Sequence, residues 1–168
     1  MKRVLTGLSA GVLLVMTGGC GNAVTTSVKG ETGLTRGANG HVVALIATCG
    51  SNVSRVDVVG SREGLREDEV NPTLGAYVAS RPVTGTIRLD LESENPGWTT
   101  SRRLTMPKKS TKRLIVGASD RGADTETSPT SATPAQLRAL ASGKVLRNDG
   151  STVPEGQFLA DSCTRGDG

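Results

Sequence analysis

The chain has almost no aromatic residues: one Tyr, one Trp and one Phe among 168 positions, or 2%. Proteins that grip sugars or single-stranded nucleic acid usually offer several aromatic faces for stacking. Tyr77, Trp98 and Phe158 offer few, and no nucleic-acid partner is expected. Histidine is scarcer still. His41 is the only possible imidazole base for a Ser-His-Asp or Cys-His relay, and its place at a strand edge reads as that of an ordinary exposed residue. Two scattered cysteines and one histidine beyond Cys20 fall short of the usual four-ligand metal set. No G-x-S-x-G elbow, H-E-x-x-H helix or phosphate loop occurs, and no cofactor is expected. Carboxylate pairs such as Asp68/Glu69 sit in charged stretches where solvation accounts for them. Also lacking is an apolar run of the roughly 20 residues that a spanning helix needs.

What is present is concentrated at the start. Lys2 and Arg3 precede Val4 to Met16, a run without charge, which is the plan of a secretory signal peptide. The order Met16-Thr17-Gly18-Gly19-Cys20 then resembles the lipobox of bacterial lipoproteins, with Thr17 where Leu is more usual. The resemblance implies that the Cys20 thiol receives a diacylglycerol and that residues 1–19 are removed as a lipoprotein signal peptide. The membrane then becomes a partner through that lipid, at the extracytoplasmic face of the cell membrane.

Removal of residues 1–19 takes two of the 20 basic residues and none of the 16 acidic ones, leaving a net charge near +2. That balance selects no partner. The remaining length suits one domain and a tether. With Cys20 used by lipid, Cys49 and Cys163 are left in an oxidising compartment, where a disulfide is the default for such a pair.

Residues 20–40, rich in Gly, Thr and Ser, read as a flexible tether, followed by one domain over residues 41–168. His41 to Cys49 is an apolar run of strand length. Ser54 to Val59 alternates Val56 and Val58 against Arg55 and Asp57, and Gly50-Ser51-Asn52 is the natural hairpin link between the two. The Asn-Val-Ser at Asn52 matches a glycosylation acceptor but fits that hairpin equally. Thr86 to Leu91 and Arg113 to Ala118 alternate in the same way, with Asp120 to Pro134 a long polar loop. Thr133, Pro134 and Gln136 spell a capped helix start that Gly143 can terminate. Val145 to Arg147 and Gln157 to Ala160 read as the last extended pieces. Short strands with turn signals between them predict a mainly β chain, an antiparallel, immunoglobulin-like β-sandwich with one short helix after a disordered N-terminal tether.

The lipobox, the strand ending in Cys49, the Pro-Gly-Trp turn at Trp98, the "QLRALASGKVL" segment and the "FLADSC" ending at Cys163 together resemble secreted lipoproteins of high-GC Gram-positive bacteria with an immunoglobulin-like or fibronectin-like sandwich. Arg outnumbers Lys by 14 to 6, in keeping with GC-rich coding. The resemblance implies an architecture and a location, and no chemistry, because fold does not fix function.

One charge cluster stands out. Arg102, Arg103, Lys108, Lys109, Lys112 and Arg113 fall within twelve residues that contain no acid. Such a stretch is a candidate site for anionic headgroups or polyanionic envelope polymers, or a solvated loop. Two functions follow as expectations: a non-enzymatic binding module presenting loops to a protein or envelope-polymer partner, or an envelope enzyme or enzyme accessory working through carboxylates such as Asp120 and Glu126.

Overall fold

The computed structural model describes residues 26–106, 110–122 and 125–164. Along the chain run β1 (Ser27–Arg36), β2 (Val42–Ala47), β3 (Val53–Gly60), β4 (Thr73–Val83), β5 (Thr86–Asp90), β6 (Trp98–Arg102), β7 (Leu114–Ser119), β8 (Thr125–Ser128), β9 (Thr130–Ala132), α1 (Pro134–Ala139), β10 (Lys144–Leu146), β11 (Thr152–Pro154) and α2 (Glu155–Asp161). The chain is mainly β, as expected. Hydrogen bonding runs through one curled 11-stranded sheet.

The curl follows from which faces are apolar. Val56 and Val58 of β3, Leu114, Val116 and Ala118 of β7, and Ile87 and Leu89 of β5 are buried, while Arg55, Thr86 and Arg88 on the alternate face are exposed. Each apolar stripe needs a partner. The β5-β2-β1 side therefore folds onto the β6-β4-β3-β7 side, with β8 joining them by running parallel to β1 and antiparallel to β7. A single cluster containing Leu34, Ile46, Val56, Leu89, Leu114 and Val116 fills the space between. Each such residue fully buried contributes about 1.5–3 kcal/mol. The two edges meet at one corner, where the Leu104 N–H donates to the Leu91 carbonyl at 2.9 Å. The buried Tyr77 hydroxyl accepts from the same Leu104 N–H at 3.0 Å and donates to the Leu91 carbonyl.

A second, smaller cluster lies on the outer face of β2, where Leu45, Ala47, Val145 and Phe158 pack beneath α2. Gly33 makes this possible. A Cβ there would stand 2.4 Å from Val145 Cγ1 and 2.8 Å from Phe158 Cε2, so only glycine lets the ring lie on β1.

Several expectations need correction. Ser27–Arg36 lies inside the stretch read as a tether, yet β1 pairs with β2, β8 and β10 and buries Leu34 completely. Its polarity misleads because the buried threonines are satisfied within the fold. Thr32 and Thr127 hydroxyls stand 2.6 Å apart, and the Thr35 hydroxyl donates to the Lys144 carbonyl at 2.7 Å. The same chemistry places β8 and β9 in the segment expected to be a loop, with Thr127 and Thr130 buried. Residues 50–52 do not close a hairpin: β2 pairs with β1 and β5, and β3 with β4 and β7, so the connection crosses the curl. Gln157 to Ala160 is part of α2, making two helices instead of one. The capping box of α1 forms as read from Thr133 and Gln136, but the helix stops at Ala139 with Leu140 as its cap, before Gly143.

Candidate functional site

Antiparallel register gives the sheet two ends. At the lower end lie the start of β1, the end of β2 with Cys49, and the starts of β3 and β5, since Glu31 faces Ala47 and Ala47 faces Thr86. At the upper end lie the 37–40 turn, the loop after β5 and the entry to β7, since Arg36 faces Val42, Val43 faces Asp90 and Gly60 faces Leu114.

The upper end is tied by a polar knot. The His41 N–H donates to Asn39 Oδ1 at 3.1 Å, and His41 Nδ1 stands 3.0 Å from Asp90 Oδ2, Ser93 Oγ and Asn39 Nδ2 alike. The Val42 N–H donates to Glu92 Oε1 at 2.8 Å. Asn95 uses both ends of its amide on the loop: Oδ1 accepts from the Asp90 N–H at 2.9 Å, and Nδ2 donates to the Asp90 carbonyl at 2.8 Å. Burial works to raise the Asp90 pKa, but the Glu92 N–H, His41 and Asn39 outweigh it and hold the carboxyl below the ordinary 3.8. A Ser-His-Asp relay needs Asp on one imidazole nitrogen and Ser on the other. Here Asp90 and Ser93 converge on the same nitrogen, so the arrangement fixes the loop and sets up no proton relay through His41.

The loop so fixed borders a groove of about 450 Å³ lined by Glu94, Asn95, Pro96, Trp98, Thr100 and Arg103. Trp98 and Thr100 share one face of β6, and Trp98 packs partly on the main core. Arg103 donates to Glu94 Oε1 at 2.9 Å across the groove, with the two side chains 47% and 86% exposed. The Thr100 hydroxyl oxygen is buried with no hydrogen-bond partner. A smaller hollow of about 240 Å³ is lined by Arg36, Val42, Glu92, Met106, Leu137 and Arg138 among others.

Of the residues singled out in the sequence, Cys49 and Cys163 are bonded, with S–S 2.10 Å. Cys20, Lys108 and Lys109 lie outside the described residues. Lys112 and Arg113 are exposed at the upper end, and Arg102 is exposed at the end of β6, facing Ala76 and level with Asp57 in the middle of β3. Arg103 is paired with Glu94, so the absence of acid within residues 102–113 does not leave that cation alone: its partner comes from the loop nine residues upstream. Nor is the stretch a plain loop, since Leu104 is 2% exposed and Met106 packs against the core. Asp120 and Glu126 sit at the lower end, Asp120 accepting from the adjacent Arg121 N–H at 2.9 Å and Glu126 exposed on β8. Asp68 and Glu69 meet Arg66 in an exposed turn.

Sequence reasoning missed the groove and a buried ion pair. Arg147, 1% exposed, donates through Nε to Glu31 Oε1 at 3.0 Å and through a second nitrogen to Oε2, beneath Phe158. Glu31 falls in the stretch read as tether, which hid the partner. Among the described residues, no group of three or more His, Cys, Asp or Glu is placed to hold a metal ion, and no helix is long and apolar enough to cross a membrane. Comparison with protein-family models, with curated proteins and with solved structures finds no match.

Proposed function

We propose that the chain is a lipid-anchored, extracytoplasmic binding module that presents the upper end of its sheet to an envelope partner. The observation that carries this reading is the opposition of the two ends. The lipid-bearing Cys20 precedes Ser27 by only six intervening residues, and β1 starts at the lower end. At most about 3.6 Å per residue, that span reaches roughly 25 Å, so the lower end stays near the bilayer. The ten residues of β1, at about 3.3 Å each, carry the chain some 30 Å to the other end. There stand the smaller hollow, Lys112 and Arg113, while the groove beside β6 runs from the loop after β5 down toward Trp98, which faces Ala79 of β4.

The Cys49–Cys163 bond supports export, because disulfides persist in oxidising compartments. The geometry also refines the expected role of the basic stretch. Anionic headgroups of the anchoring leaflet lie on the side away from it, which favours a polyanionic envelope polymer as its partner. Anchoring raises the effective concentration of such a polymer, so weak contacts suffice.

Two measurements test the reading. Mass spectrometry of the mature N-terminus should find an acylated Cys20; an unmodified N-terminus elsewhere removes the anchor. Binding of the mature chain to a teichoic-type polymer should fall steeply with salt. Replacing Lys108, Lys109 and Lys112 by Gln should abolish most of it. Equal binding by the triple variant returns the stretch to a solvated segment.

A further inference from the structure

We infer that the groove beside β6 is a saccharide subsite, with the Trp98 indole as its platform and Glu94 and Arg103 as the groups that read ring hydroxyls. Its volume of about 450 Å³ falls within the roughly 300–1,000 Å³ of small-molecule sites. Trp98 is held on one side by the core and lines the groove on the other. An indole so held is a rigid amphipathic surface, and the C–H face of a pyranose ring settles on such a surface through weak C–H donors directed at the π electrons.

The flanking charges fit the rest of a sugar. A carboxylate only accepts and a guanidinium only donates, so the Glu94 and Arg103 pair offers adjacent acceptor and donor to vicinal hydroxyls. That pair is largely exposed, and separating it costs little. One cation balanced by one anion selects a neutral ring over a phosphate or carboxylate. Asn95 is excluded from the contact set because its amide is committed to holding the loop.

The scarcity of aromatics bounds the strength. One stacking face in an open groove suits a Kd on the order of 1 mM, made effective by the repetition of a glycan chain beside an anchored domain. The assignment rests on the exported binding-module reading for where such a glycan is met, while the groove's chemistry is independent of the anchor.

Trp98 is the only Trp, so its emission reports this groove alone. The full mature chain, titrated with a tetramer of N-acetylglucosamine to about 20 mM, some twentyfold above that Kd, should show a saturable shift in Trp98 emission. Glu94→Gln and Arg103→Ala should each weaken it about fivefold to tenfold, the loss of one hydrogen bond. Trp98→Phe, read by calorimetry and checked for folding by its thermal transition, should weaken binding further. No saturable response, unchanged titration by both charge variants, or a response to glycerol-phosphate polymer in place of the sugar would overturn the subsite. A positive titration alongside an unacylated Cys20 would remove the anchor and leave the subsite standing.

Discussion

The two buried regions of this molecule are held in different ways. Inside the curl, strands from both sides supply Leu34, Ile46, Val56, Leu89, Leu114 and Val116, and the one large polar group there, the Tyr77 hydroxyl, is fully bonded. Under α2, four buried apolar residues share their space with the Arg147–Glu31 pair, and the helix is tied down by Cys163. The difference follows from supply. A helix of seven residues is far below the roughly 12–15 that stand alone in water, and its small apolar contact leaves a covalent staple and a charge lock to define its seat. On β2 the two regimes are adjacent, since Leu45 faces the helix and Ile46 faces the curl.

The largest effect should come from breaking the charge lock. Glu31→Ala leaves Arg147 buried with its main partner gone, a change that costs about 3–5 kcal/mol. Joint replacement, Glu31→Leu with Arg147→Met, should recover most of that loss, because well-packed apolar groups commonly match a buried pair. Chemical denaturation of the three proteins measures both. A Glu31→Ala loss below about 1 kcal/mol, the scale of an exposed pair, would show that the outer region is not locked by charge.

Removal of the staple comes next. Its sequence separation of 114 gives about 5 kcal/mol in the chain-entropy model, and native disulfides in small domains are worth about 2–5 kcal/mol. Cys49→Ala with Cys163→Ala should lower stability by that amount. Amide exchange should rise first in α2 and β11, with β3 and β7 retaining protection until global unfolding. Uniform loss of protection would mean that the two regions form one cooperative unit.

The same contrast explains what the sequence reveals. β3, β5 and β7 are legible because one face is aliphatic and the other charged, as Val56 and Val58 against Arg55 and Asp57 show. β1 carries as much of the core but hides it, because Thr32 and Thr35 do the work of buried residues through hydroxyl bonds that exist only once β8 and β10 are in place. α2 hides for a related reason. It follows Pro154 with no side-chain cap, so nothing local announces a helix, and its seat is set by contacts with distant strands. The groove was beyond reach for the same cause: Trp98 and Glu94 acquire meaning only when the loop after β5 is pinned by His41, which itself depends on β1.

The smallest effect concerns the polar knot at the upper end, and it separates a partly solvated charge cluster from the buried one. Asp90 retains 21% exposure against 7% for Glu31, so its contacts are weakened by solvent where those of Glu31 are not. Its folded pKa is held below the unfolded 3.8 by the Glu92 N–H, His41 and Asn39, against the opposing influence of burial. The sign follows from linkage. A depressed carboxyl contributes stability that is complete above the unfolded value and is lost as pH falls from there through the lower folded value. Acid titration of thermal stability should therefore show a steeper fall below about pH 4 in the wild type than in Asp90→Asn, which has no proton to take up at this position. The Asn variant should also loosen residues 91–97, because an amide of the same length faces His41 and Asn39 without the carboxylate's charge. If the two proteins lose stability in parallel through that window, the knot is held by its neutral hydrogen bonds and not by the charge of Asp90.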